Sequence, residues 1–254
     1  MLSLNDLCLN YGSQQVLRHL TADIAPGSFY AVMGPNGSGK TSLLRCVAGL
    51  QTPASGSVSL DGCLVSDYNA RQLSQHIALV GQHVAVDFDF TAFDMVMMAR
   101  NPYQRRLQGD TAADRRIVEE AMRQTGTLHL RHKHLAQMSG GERQRVMLAR
   151  ALAQQTPIML LDEPLANLDI AHQFEILDLL RRINIDEQKT ILLVIHNISQ
   201  AYAYCPMLLL LSDGAINYQG PMHEGLTPDR IRQVFDVDAT ITDSTVVLEK
   251  IERN

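Results

Sequence analysis

The stretch Gly34-Pro35-Asn36-Gly37-Ser38-Gly39-Lys40-Thr41 constrains the fold more than any other part of the chain. It follows the apolar run Phe29 to Met33 and leads into Ser42 to Gly49, which has helical spacing. Strand, glycine-rich loop and helix thus come in the order that a phosphate-cradling loop requires. Glycines at 34, 37 and 39 let successive backbone N–H groups turn inward, and the following helix N-terminus attracts negative charge. Lys40 offers a point charge to the β and γ phosphates of a nucleotide, and the Thr41 hydroxyl is a hard ligand suited to Mg²⁺. A tight turn alone would account for the glycines but not for the Gly-x4-Gly-Lys-Thr spacing. Candidate nucleotide contacts are therefore Gly34, Asn36, Gly37, Ser38, Gly39, Lys40, Thr41 and Ser42.

Two further strands are expected to end at the same edge. Ile158 to Leu161 is a continuous apolar run, as in parallel strands covered on both faces, and it stops at Asp162-Glu163-Pro164. Ligands collect at the carboxyl ends of such strands, so Asp162 is read as a Mg²⁺ ligand and Glu163 as a base for the attacking water. His196 ends the run Thr190 to Ile195 and is placed to bond a γ-phosphate. Gln82, after Ile77 to Val80, can reach Mg²⁺ or the water. Ser139-Gly140-Gly141-Glu142 opens a helix running to Leu152. Ser139 and Glu142 have capping-box spacing, but two glycines in a first turn cost about 1 kcal/mol each, so an approaching anion is the better reason for them. Tyr11, just off the first strand, suits either an adenine-stacking ring or ordinary packing.

The remaining chain fits an α/β protein with accessories. Leu2 to Ile24 reads as an antiparallel pair turning at Tyr11-Gly12-Ser13, and Gly56 to Asp61 as another strand. A helical insert is expected from about Thr111 to Gln154, a helix from about Asp169 to Arg182, and a hairpin at Asp213-Gly214. Near the end come a helix from Pro228 to Phe235 and a strand at Val246 to Leu248. No run approaches the roughly 20 apolar residues of a membrane span, which predicts a soluble chain. The formal net charge of −5 gives no field that would gather nucleic acid, so none is expected as a partner. Four scattered cysteines indicate neither a disulfide framework nor a zinc knuckle. His129, His132 and His134 are interleaved with Arg131 and Lys133, which repel a cation, and read as a solvated loop.

In this order, Gly34 to Thr41, Gln82, Ser139 to Gln144, Leu160 to Pro164, Leu168-Asp169 and His196 resemble the ATP-binding subunit of ABC transporters. The resemblance covers nearly the whole chain. It implies the P-loop cassette fold, with a mixed core sheet, an N-terminal antiparallel β-subdomain and an inserted helical subdomain. Residues 1–254 would form one ATP-binding domain, with about 83–155 as the Q-loop and insert and about 215–254 as a short C-terminal extension. It implies ATP and Mg²⁺ as cofactors, and a head-to-tail homodimer in which Ser139, Gly140 and Gly141 cover the ATP of the second copy. By the same likeness Tyr11 stacks on adenine, Glu163 is the catalytic base and Asp169 belongs to the loop linking the two sites.

Arg100 to Tyr103, Asp114 to Met122 and Leu226 to Phe235 look like importers of iron-siderophore, haem and cobalamin complexes. That implies two permease subunits, a substrate-binding protein beyond them, and a place at the cytoplasmic face of the membrane. The segment after Gln82 would receive a coupling helix, with Arg100, Arg105 and Arg106 either contacting it or forming a solvated basic face. Met138, Ala166-Asn167, Asn197 and His83 to Phe90 depart from the family pattern. A P-loop kinase would leave the Ser139 motif without a role. An ABC protein acting on ribosomes usually carries two cassettes or a coiled coil, and neither is evident here.

Overall fold

The computed structural model describes residues 1–81, 90–104, 109–166, 168–242 and 245–249. Chain order begins β1 (Leu2–Tyr11), β2 (Gln14–Ile24), β3 (Phe29–Met33), α1 (Lys40–Val47), β4 (Ser55–Leu60), β5 (Cys63–Leu64), α2 (Ala70–Leu73) and β6 (Ile77–Val80). Next come α3 (Ala92–Met97), α4 (Ala112–Gln124), α5 (Gly140–Ala153), β7 (Ile158–Asp162), α6 (Ile170–Glu187), β8 (Thr190–Val194) and α7 (Ile198–Tyr204). The chain continues through β9 (Met207–Ser212), β10 (Ala215–Pro221), α8 (Met222–Gly225), α9 (Pro228–Phe235), β11 (Asp238–Ile241) and β12 (Val246–Glu249).

One sheet has the order β10-β9-β3-β8-β7-β6, parallel except for β10. A second, antiparallel sheet has the order β2-β1-β4-β5. The apolar run of β3 feeds two cores because successive side chains point to opposite faces. Phe29, Ala31 and Met33 pack with α3, α4, α5 and α6, whereas Tyr30 and Val32 pack with α1 and the antiparallel sheet. This two-sided burial is why the parallel strands read as unbroken apolar runs.

Boundaries at β6 and α9 fall where the sequence places them, while α6 extends five residues past the expected Arg182, to Glu187. The expected helical stretch from Thr111 to Gln154 is broken. α4 stops at Gln124, where Thr125 and Thr127 hydroxyls donate to the Met122 carbonyl and Gly126 takes φ 65°. Short 3-10 turns at Leu128–Leu130 and Leu135–Gln137 then lead to α5. α3 is a helix that periodicity does not announce, because Ala92, Met95, Val96 and Met97 are all buried and no polar face marks the 3.6-residue repeat.

Arg100 corrects the expectation of a partner-facing or solvated arginine. Only 6% of it is exposed. Its Nε donates to Asp114 Oδ1 at 2.9 Å and its Nη1 to the Ala153 carbonyl at 2.9 Å, which ties the chain after α3 to α4 and to the end of α5. Arg105 and Arg106 lie outside the described residues.

Candidate nucleotide site

Register brings the three strand ends together: Val32 pairs with Val194, and Val194 with Asp162. The loop after β3 is shaped by packing behind it as well as by the groups it offers in front. A Cβ at Gly34 would stand 2.1 Å from the Leu211 carbonyl oxygen, and one at Gly39 would stand 2.5 Å from Leu17 Cδ2. Gly37, at φ 80°, faces open space, so there the requirement is conformational. Gly39 caps α1 without a side-chain hydrogen bond, which leaves the first-turn N–H groups to an external acceptor.

Lys40 folds back across this loop, and its Nζ donates to the carbonyls of Gly34 and Pro35 at 2.8 Å each. Burial lowers its pKa, an effect that the nearby carboxylates of Glu163 and Asp162 oppose. Asp162 is raised by burial and by the charge of Glu163, against the Thr41 hydrogen bond, which lowers it. Thr41 Oγ1 donates to Asp162 Oδ1 at 3.1 Å, so two hard oxygen ligands from different elements already meet. The buried Ser38 Oγ has no hydrogen-bond partner among the described residues. Unsatisfied hydroxyl, free N–H groups and paired hard oxygens suit a magnesium-bound polyphosphate. Mg²⁺ would be held by Thr41 and Asp162. Asn36, Gly37 and Ser42 line the same recess, as do Val16 and Glu163.

Glu163 follows Asp162 at φ 54°, a left-handed conformation uncommon for a residue with a Cβ. Its Oε1 lies 2.7 Å from His196 Nε2, which joins the expected base to the expected phosphate sensor. Tyr11 ends β1 beside the turn at Gly12 and is 44% exposed, which leaves its ring free to meet a ligand. Gln82 lies outside the described residues.

Ser139 does not join this group. Its hydroxyl accepts from the Glu142 N–H at 3.2 Å while Glu142 Oε2 accepts from the Ser139 N–H at 2.8 Å, so the capping box forms. Lys133 grips the same carboxylate at 3.0 and 2.9 Å. First the Lys133 hydrogen bond and then the Ser139 amide hold Glu142 down to about 2. Ser139, Gly140 and Gly141 share a separate recess of about 540 Å³ with Asp169, and among the described residues none lines both this recess and that of the P-loop. Asp169 caps α6 by accepting from the His172 N–H at 2.8 Å, and its Oδ1 meets His172 Nδ1 at 2.7 Å. The Asp169–His172 spacing was open to reading as a cap, but Val16 and Leu17 behind the loop carry no local signal.

The ABC transporter family profile matches residues 17–166. The chain belongs to the ABC transporter family. Against the ferric enterobactin transport ATP-binding protein of Escherichia coli K12 it is 38% identical over 94% of this chain and 89% of that protein. Identity to the cobalamin import ATP-binding protein of Halobacterium salinarum is also 38%, over 94% of this chain, which spans only 60% of that relative's length. Among solved structures, a protein described as a metal-chelate type ABC transporter in an inward-facing conformation has a chain 26% identical to this one. It covers 97% of this chain and 95% of its own length, with a TM-score of 0.82. The fold is the ATP-binding cassette of this family.

Proposed function

We propose that this chain is the ATP-hydrolysing subunit of an importer for a metal chelate of the iron-siderophore, haem or cobalamin class. The observation that carries the hydrolytic part is the joining, at one sheet edge, of Thr41 to Asp162 at 3.1 Å and of Glu163 to His196 at 2.7 Å. Names of the matched relatives support the cargo class. Lys40 leaves the Gly34 and Pro35 carbonyls to meet the β and γ phosphates, and the α1 N-terminus shares that charge. Thr41 and Asp162 would hold Mg²⁺, which would supply positive charge against the negative charge of the phosphates. Water attacks the γ-phosphorus, its proton passes to Glu163, and the bond to the β-phosphate oxygen breaks to give ADP and phosphate. His196 holds Glu163 before the attack and bonds the γ-phosphate when it is present.

The separate Ser139 recess supports a head-to-tail homodimer in which each copy covers the other's P-loop. Two permease subunits would hold the pair at the cytoplasmic face of the membrane, and a substrate-binding protein would deliver cargo beyond them. In this reading residues 1–254 act as one cassette, with about 83–155 as the Q-loop and helical insert, whose segment after Gln82 meets the permease, and about 215–254 as a short extension. Tagged chain purified from its own membranes should bring permease subunits with it, and proteoliposomes of the complex should take up a ferric siderophore, haem or cobalamin only with ATP. Recovery of ribosomes, or of a phosphorylated small molecule as product, would sink the reading.

A further inference from the structure

The loop from Glu163 to Asp169 starts at the expected base and ends at the cap of α6. Among its described residues, the carbonyls of Leu165 and Leu168 are held by one side chain. Gln173 Nε2 donates to the Leu168 carbonyl at 3.1 Å and, more weakly, to that of Leu165 at 3.4 Å. Because its amide nitrogen must face these two acceptors, its Oε1 points the other way, where it accepts from Gln200 Nε2 at 2.8 Å. Gln200 lies in the first turn of α7, and its N–H donates to Asn197 Oδ1 at 3.0 Å. Asn197 directly follows His196, which bonds Glu163 at 2.7 Å. Hydrogen bonds, with the peptide link from His196 to Asn197, therefore run around one recess of about 210 Å³ from Glu163 through His196, Asn197, Gln200 and Gln173 to the Leu165 and Leu168 carbonyls.

We propose that Gln173 and Gln200 form a two-amide relay that sets the positions of Leu165 and Leu168, and through them of Glu163 and Asp169, according to the state of His196. This rests on the reading of the chain as an ATPase. Both are positioning residues, since neither touches the reacting atoms. Amides suit the task because each presents a donor at one end of the group and an acceptor at the other. A movement of His196 away from Glu163 carries the first turn of α7 with it. Gln200 then shifts its grip on Gln173, and Gln173 shifts the Leu165 and Leu168 carbonyls, so that Glu163 and Asp169 respond together.

The relay is tested by steady-state ATP hydrolysis and thermal melting of the full chain carrying Gln200→Glu, Gln173→Leu or both. Gln200→Glu keeps size but offers only acceptors, so Gln173 must turn its amide nitrogen toward it and bring its oxygen against the loop carbonyls. Each single variant should lose about tenfold in kcat, the equivalent of one neutral hydrogen bond, with KM for ATP and Tm unchanged. The double variant should be no worse than the weaker single one. Turnover within about twofold of the unsubstituted chain, multiplied losses in the double variant, or a change in KM and Tm in place of kcat would each overturn the relay alone. If Gln173→Leu fails to fold, Gln200→Glu decides by itself. An unsubstituted chain that does not hydrolyse ATP overturns the ATPase reading and the relay with it.

Discussion

Glu163 combines a left-handed backbone, a position one residue beyond Asp162 and a 2.7 Å bond to His196. Holding a residue with a Cβ in that conformation costs on the order of 1–2 kcal/mol, so the surrounding structure must determine it. The turn directs the carboxylate to His196, while Asp162 remains against Thr41. Changing Glu163→Gln preserves size but removes the proton acceptor. Hydrolysis should fall by about a hundredfold or more while ATP still binds, and the ATP-bound protein should run as a dimer on size exclusion. Near-normal turnover would remove Glu163 from the role of base. Lys40 is legible in the sequence because its spacing from Gly34 is so particular, yet its bonds to the Gly34 and Pro35 carbonyls are not.

At the scale of elements, α5 is anchored at both ends. Its N-terminus carries the Ser139–Glu142 box with Lys133, and its C-terminus offers the Ala153 carbonyl to Arg100. Glu142 has a folded pKa of about 2, below its ordinary 4.5. The charged form is thus favoured by folding, so its contribution is complete above about pH 4.5 and is lost as pH falls through about 2. The gap in Tm between the unsubstituted chain and Glu142→Gln should accordingly be wider at pH 6 than at pH 3. A gap that does not narrow on acidification would show that Lys133 and the cap do not depend on that charge. Arg100→Ala would leave the buried Asp114 carboxylate held by Thr111 alone, without its positive partner, and should cost about 3 kcal/mol in urea unfolding. Adding Asp114→Asn should return part of that loss, and a double variant weaker than Arg100→Ala would contradict the pairing. Periodicity could suggest α4 because it has a polar face, whereas α3 and the Arg100 pair needed the packed insert to show themselves.

For the whole molecule, the important fact is that Ser139 and Lys40 line separate recesses. One copy holds both halves of the proposed site in places that do not meet. Protein carrying Ser139→Arg keeps a sound P-loop, and protein carrying Lys40→Ala keeps a sound Ser139 turn, so a mixed dimer contains one intact shared site. The mixture should hydrolyse ATP faster than either variant alone. A mixture no more active than its components would argue against head-to-tail sharing.

Local order alone determined the strand, glycine loop and helix around Lys40, the carboxylates at the end of β7, the histidine after β8 and the cap at Ser139. Each is a feature of neighbouring residues, and backbone geometry translates such spacing directly into structure. Tertiary structure decided what has no local trace: Thr41 against Asp162, Glu163 against His196, Arg100 withdrawn into the insert, and Gln173 facing Gln200. Those contacts join residues 14 to 121 positions apart, and only sheet register and helix packing bring them within hydrogen-bond reach.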